Sequence, residues 1–280
     1  MRGTMREVGL APLGVRWVVG DATELLLESL RLSIHGAVRA FGPRARYVVC
    51  VHTITVAAAR RRMGDVPDVV DFRDVTYEID PRVRGYLDDG MAQDVGWKLT
   101  PMRLFEDRHE LSLEPDCVLW SVPRAIDAWL ADPEGCLLAE DVRPGYGRFA
   151  ALCGPEPRSS RIRGVPPSFD LGREVETILA REGDCLRSRL DEQGLEIAAV
   201  TRQRRTHLVP LAEVPICSPF PPHALEIGTC GARFVGLDAR CQPWSLAGRA
   251  ASELVRDHFA RCRAALYRHV GLEPREADAA

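Results

Sequence analysis

The sequence predicts an α/β fold, with one domain built on a mostly parallel central sheet and helices on both faces. Three observations carry this expectation. An apolar strand, an amphipathic helix and a second apolar strand follow one another within residues 16–51. The two strands, RWVVG and YVVCV, are continuous apolar runs, the pattern of strands covered on both faces. The chain has 280 residues, 46% hydrophobic and 28% charged, enough for one large α/β domain or two small ones.

The boundaries predicted are a flexible N-terminus over 1–14, a single domain over 15–272, and a frayed polar tail over 273–280. The first strand ends at Gly20. Asp21 is placed to cap the next helix, with Glu24 three residues on closing a capping box. That helix carries Leu27, Leu30, Ile34, Val38 and Phe41 on one stripe, and Gly42-Pro43 stops it. Residues 47–51 form the second strand and 69–72 a shorter third. Ligands of such sheets sit at the carboxyl ends of the strands, which puts Gly20, Asp21, His52 and Thr53 near a nucleotide pocket. Gly20-Asp21 equally reads as a plain strand exit and helix cap. Neither G-x-G-x-x-G nor G-x-x-x-x-G-K-[ST] occurs, so the glycine signatures of the dinucleotide and P-loop folds are missing.

The pattern changes period within residues 94–120. Leu99, Met102 and Phe105 recur every three residues, and Trp97 and Leu104 lie seven apart, which suits a helix face. From His109 the run is strand-like, with Leu111 and Leu113, then 117–120. Between the strand halves stand Glu114 and Asp116, separated by Pro115. In an extended segment such residues point to one side. Two carboxylates so placed make a hard oxygen site suited to Mg2+ or Mn2+ shared with a phosphate. The same pair also reads as an ordinary acidic turn around a proline. Lys98 and Arg103, upstream, add positive charge for the same phosphates.

Further along, 123–130 reads as a short helix and 135–139 as a strand. The Gly-, Pro- and Arg-rich stretch 140–167 reads as loops over the sheet. Residues 169–190 read as one helix on Val175, Ile178, Leu179, Leu186 and Leu190, followed by a polar turn, Asp191-Glu192-Gln193-Gly194. Strands are expected at 207–210 and 214–217. A closing amphipathic helix is expected at 247–267, with Leu254, Val255, Phe259, Cys262 and Leu266 inward.

The formal charge of -3 argues against nucleic acid as the main partner. No run of eighteen apolar residues exists, so no membrane span is expected, and the first residues lack the apolar core of a signal peptide. A cytoplasmic protein is the expectation. The nine cysteines form no C-x-x-C pair and no zinc spacing, and several, like Cys50, sit in apolar runs as buried reduced thiols would.

The order of a helix with lysine, a short strand, an acidic pair and an apolar strand resembles the signature of GT-A-fold glycosyltransferases, a Rossmann-like nucleotide-sugar fold. The run KLTPMRL followed by the acidic pair is similar to the glycogenin-like group, glycosyltransferase family 8. The DEQG of 191–194 is similar to that group's acidic, amide-containing triplet, which contacts the sugar donor and acceptor. Phe234, Gly236, Pro243 and Trp244 match its Phe, Gly and Pro-Trp pattern. Departures accompany the matches. Glu114 replaces the usual first aspartate, and Arg233 stands where a metal-binding histidine is expected. Gln242 stands where a phosphate-binding lysine is common, and Ser159 lies near the place of an asparagine.

The resemblance implies metal-assisted transfer of a sugar from a nucleotide-diphosphate donor to an unidentified acceptor, with retention of configuration. It implies Glu114 and Asp116 as holders of Mn2+ or Mg2+, and Asp191 and Gln193 as the catalytic pair orienting the transferred sugar. Donor binding would fall to Gly20, Asp21, Lys98, Arg103, Arg233 and Gly236. Arg233 cannot ligate a metal, but its guanidinium can bind a diphosphate bidentately. The departures motivate an alternative, a catalytically degenerate nucleotide-sugar-binding or interaction protein on the same fold. An NAD-type enzyme is disfavoured by the missing glycine fingerprint.

Overall fold

The computed structural model describes residues 12–87, 95–202, 205–237 and 244–274. Asp94, Cys241, Gln242, Pro243, most of the N-terminal stretch and the end of the tail lie outside the described residues. The chain opens with β1 (Leu13–Val19), α1 (Glu24–Phe41), β2 (Arg46–Val51), α2 (Val56–Met63) and β3 (Val70–Asp74). Next come α3 (Pro81–Arg84), α4 (Val95–Lys98), β4 (His109–Leu113), β5 (Cys117–Leu119), α5 (Arg124–Leu130), β6 (Cys136–Glu140) and α6 (Ala150–Cys153). It closes with β7 (Arg158–Val165), α7 (Leu171–Glu182), α8 (Arg189–Thr201), β8 (Thr206–Val209), β9 (Ile216–Cys217), β10 (Gly231–Phe234) and α9 (Ala251–Val270).

Among the described residues, seven strands form the main sheet in the order β3-β2-β1-β4-β7-β6-β8. β7 runs antiparallel to both its neighbours, and the other pairs are parallel. Strands β5, β10 and β9 form a second, smaller sheet. Alternation along β6 shows that the main sheet is covered on both faces. Leu137 and Ala139 join the core built on Trp17, α1 and α9, while Cys136 and Leu138 join the core of α7 and α8. In the α1 stripe Leu27, Leu30 and Ile34 are fully buried, while Val38 and Phe41 at its C-terminal end are half-buried. Each such side chain contributes about 1.5–3 kcal/mol, so packing rather than helix propensity holds α1 in place. No helix among the described residues is long and apolar enough to cross a membrane.

Several local expectations are corrected. The N-cap of α1 is Thr23, whose Oγ1 accepts from Leu26 N, and Asp21 instead pairs with Arg62 at 2.9 Å. The helix expected through Phe105 ends at Lys98, because Pro101 has no N–H to continue it and disfavours helical geometry just before itself. The stretch 140–167 contains an eight-residue strand, β7, between β4 and β6. Its arginines hid it: Arg163 is buried against Glu196 of α8.

The helix expected over 169–190 is two helices. Gly183 ends α7 in the left-handed region at φ 69°, and Ser188 starts α8 with a capping box to Asp191. Asp191, Glu192 and Gln193 therefore lie in the first turn of a helix rather than in an exposed turn. Gly194 is required there, because a Cβ would lie 2.1 Å from the Tyr146 carbonyl oxygen.

Candidate functional site

The sheet order changes direction between β1 and β4, which leaves a crevice beyond their carboxyl ends. A cleft of about 580 Å³ occupies this place. Gly20, Asp21, His52 and Thr53 line one side. His52 stacks on Trp97 with centroids 4.8 Å apart and packs against Gly20, where a Cβ would fall 2.4 Å from its ring. Thr53 has φ 60°, a costly conformation for a β-branched residue, and its Oγ1 accepts from Asp21 N at 3.1 Å. The turn after β1 is thus fixed by the turn after β2.

The other side is charged. Glu114 and Asp116 flank a turn closed by Cys117 N donating to the Glu114 carbonyl at 2.9 Å. Pro115 supplies the turn, so the two carboxylates reach one cleft through a bend and not through an extended pleat. Lys98 Nζ lies 3.3 Å from Glu114 Oε1 and 3.3 Å from Glu192 Oε2. Arg161 Nη1 donates to both oxygens of Asp116, at 3.1 and 2.9 Å. Below them, Arg163 pairs with Glu196, and Arg16 lies 3.4 Å from Glu110. Glu192 and Glu196, one helical turn apart on α8, face Lys98 and Arg163.

These pairings set the protonation of the cleft. Burial would lower the Lys98 ammonium, but Glu114 and Glu192 outweigh it and hold it above its ordinary range. Burial would raise Glu114, yet Lys98 and Arg161 hold it below the usual carboxylate range. Glu192 is pushed up by burial, which Lys98 offsets only in part. Asp116 keeps Arg161 firmly charged.

Of the residues singled out in the sequence, Gly20, Asp21 and Lys98 line the cleft, as do Glu114, Asp116, Gln193 and Gly236. Gln193 Nε2 donates to the Gly145 carbonyl at 2.8 Å, and its Oε1 accepts from Ser159 Oγ at 3.3 Å. Three candidates are used elsewhere. Arg103 donates to the carbonyls of Phe105, Arg108, Pro166 and Phe169, tying loops together away from the cleft. Asp191 accepts the backbone N–H groups of Arg148, Arg187 and Ser188 and is a helix-capping carboxylate. Arg233 is fully buried and donates through Nη2 to the Glu140 carbonyl at 2.6 Å. Arg161 was not picked out from the sequence, and Glu192 was read only as part of the 191–194 segment with no role of its own. No local sequence signal marks them, because Arg161 acquires its role from Asp116 and Glu192 from Lys98, which are distant in sequence.

The acidic pair does not fit a divalent ion as it stands. Each carboxylate already has a cation partner, and the third ligand expected from the resemblance is Arg233. Among the described residues, no group of three His, Cys, Asp or Glu side chains is placed to hold a metal. A dication on the Asp116 oxygens, roughly 4 Å from the Arg161 guanidinium, would meet a repulsion of about 8 kcal/mol at an effective dielectric of 20.

No protein-family profile matches this sequence, and no curated protein matches it. Solved structures do match the fold. Galactosyltransferase LgtC in complex with donor and acceptor sugar analogs aligns at TM-score 0.58 and 11% identity, over 94% of this chain and 98% of its own. An active-site mutant of LgtC, with a glutamine changed to glutamate, aligns at TM-score 0.56 and 10% identity, over 89% of this chain and 95% of its own. Mouse xyloside xylosyltransferase 1, in its apo form, aligns at TM-score 0.54 and 13% identity, over 79% of this chain and 97% of its own. The chain has the fold of these glycosyltransferases.

Proposed function

We propose that the chain transfers a sugar from a nucleotide-diphosphate donor to an acceptor, in the cleft between the ends of β1 and β4. The observation that carries this reading is the convergence of Lys98, Glu114, Asp116, Arg161 and Gln193 on one crevice of the sheet. Bringing so many charges together away from bulk water is unfavourable unless they serve one another and a ligand. The fold likeness supports the reading. LgtC was crystallised with donor and acceptor sugar analogs, and a glutamine belongs to its active site.

In this reading, Gly20 and the turns around Asp21 and Thr53 receive the nucleoside. Lys98 and Arg161 offset the negative charge that grows on the diphosphate as the glycosidic bond breaks. Gln193, held by Gly145 and Ser159, presents its amide to the transferred sugar. Asp191 acts through Gln193 by fixing the first turn of α8, and Arg233 adds positive potential from behind Asp116. Metal assistance, which the resemblance implies, is assigned no step, because the acidic pair is engaged with Lys98 and Arg161.

The test is release of nucleoside diphosphate from a panel of UDP-, GDP-, ADP- and dTDP-sugars, with and without simple glycoside acceptors. Turnover of one donor class, lost in Gln193→Ala with donor affinity kept, supports the transferase. A second reading, a nucleotide-sugar-binding protein without catalysis, is favoured by the burial of Arg233 and the capping role of Asp191. It predicts binding of one donor with no release of its nucleotide. No binding of any donor refutes both readings.

A further inference from the structure

Resting on the nucleotide-sugar reading, we infer that the donor diphosphate is received directly by Arg161, whose guanidinium takes the place of a divalent ion on Asp116, so that donor binding needs no metal. The geometry supplies three supports.

The first is the way Arg161 is held. Its Nη1 bonds both oxygens of Asp116, at 3.1 and 2.9 Å, and leans on that carboxylate as a bound cation would. The backbone fixes the same link from the other side, since Glu114 N donates to the Arg161 carbonyl at 3.0 Å. Strand β7 and the acidic turn are therefore joined at both main chain and side chain.

The second is what remains free. Among the described residues, no hydrogen bond engages Nε or Nη2 of Arg161, while the side chain is 30% exposed and lines the cleft. A guanidinium anchored through one nitrogen keeps a planar donor edge for phosphate oxygens, a pairing stronger than one between neutral groups.

The third is the position where a histidine is expected from the resemblance. Arg233 occupies it, wholly buried, with Nε and Nη1 lacking hydrogen-bond partners. It lies near enough to Asp116 and Arg161 to feel both charges. Arg233 stands opposite Cys117 in the β5–β10 ladder, and Phe234 N donates to the Asp116 carbonyl at 2.8 Å, so a second fixed positive charge sits beside the acidic turn and leaves a dication less favourable charge balance there. Glu114 offers no relief, since Lys98 bridges it to Glu192.

The experiment uses the full chain in two measurements. Free Mn2+ is followed by its electron paramagnetic resonance signal as protein is added without nucleotide. UDP, GDP, ADP and dTDP are then titrated calorimetrically in EDTA and in MnCl2. The inference expects no depletion of the Mn2+ signal by the wild-type chain, and one nucleoside diphosphate binding within about threefold in the two media. Arg161→Ala should weaken that binding about tenfold or more in EDTA, with Arg161→Lys between the two. Arg161→Ala combined with Arg233→His should deplete the Mn2+ signal and make nucleotide binding depend on Mn2+. Stoichiometric Mn2+ binding by the wild type, or a nucleotide affinity at least about tenfold higher in MnCl2 than in EDTA, overturns the inference and leaves the transferase reading standing. Failure of every nucleotide to bind in either medium overturns the transferase reading, and the inference with it. If Arg161→Ala does not fold, the wild-type comparison and Arg161→Lys decide the matter.

Discussion

Replacing Lys98 by methionine is the most informative single perturbation of the cleft. The ammonium sits 3.3 Å from Glu114 and 3.3 Å from Glu192, and Glu192 is 2% exposed. Methionine keeps the length of the side chain and removes the charge, leaving two carboxylates facing one another. Breaking a buried pair by removing one partner costs about 3–5 kcal/mol. Water reaches Lys98, which is 31% exposed, and screening lowers the cost to the bottom of that range or just below it, about 2–3 kcal/mol. In a chain of this size that is a fall in Tm of roughly 4–12 °C. Adding Glu192→Gln should return half or more of the loss, since the remaining carboxylate then has no like charge opposite. The pH dependence has a definite sign. In the wild type Lys98 is held above its ordinary value, so its contribution is complete below about pH 10.5 and fades only above it. In Lys98→Met the Glu192 carboxyl, already raised by burial, loses the ammonium that partly offsets this, so stability is lost as pH rises through its folded-state value and the deficit is larger at pH 8 than at pH 5. Urea denaturation of the three proteins at both pH values is the assay. A loss below about 0.5 kcal/mol, typical of a surface ion pair, or a deficit that grows toward low pH, would refute the reasoning.

The remaining predictions concern residues around the cleft and one outside it. Asp191→Ala strands three backbone N–H groups and should cost about 2–3 kcal/mol in urea denaturation while leaving donor affinity unchanged; lost affinity at unchanged stability would contradict the capping role. Gly20→Ala sets a methyl 2.4 Å from the His52 ring and must move it off Trp97, so calorimetry should show about tenfold weaker donor binding in a folded protein; unchanged affinity would place the nucleoside elsewhere. Asp132, far from the cleft, accepts from Arg205 at 3.0 Å, with His207 Nε2 2.9 Å away, and His207 and Arg205 hold its carboxyl well below the ordinary 3.8. Its contribution is therefore complete above about pH 4 and lost as pH falls below it. Asp132→Asn should cost about 1.5–3 kcal/mol at pH 7 and about 1 kcal/mol less at pH 3, and an equal cost at both would contradict this.

The first βαβ unit was legible because its strands are apolar on both faces and its helix carries a single stripe. Those features follow from burial, and burial leaves its mark residue by residue. The acidic pair was legible in part: its position after an apolar strand placed both carboxylates on one side, but by a pleat where Pro115 in fact makes a bend. Strand β7 was not legible, because its run of arginines, with Arg163 buried and Arg161 turned to the cleft, breaks the apolar pattern. Their placement makes sense only with Asp116 and Glu196, which are distant in sequence. The start of α8 was hidden by Leu186 and Leu190, which continue the period of α7 although Gly183 and Ser188 mark a stop and a start. Reading those as caps would have put Asp191 on the backbone and Glu192 and Gln193 toward the cleft. Arg103 and Arg233 show a limit of motif reasoning. A charge placed by resemblance can be spent on carbonyl oxygens, and only the folded neighbourhood reveals it.

The central claim is that the crevice between β1 and β4 is a nucleotide-diphosphate site. A crystal structure of the chain with the best-binding nucleoside diphosphate, grown in EDTA, tests it most directly. The account predicts density for the diphosphate between Lys98 and Arg161, with the nucleoside against Gly20 and the Asp21 and Thr53 turns. Density for the nucleotide elsewhere on the protein, with Lys98 and Arg161 still turned only to Glu114, Glu192 and Asp116, would contradict it.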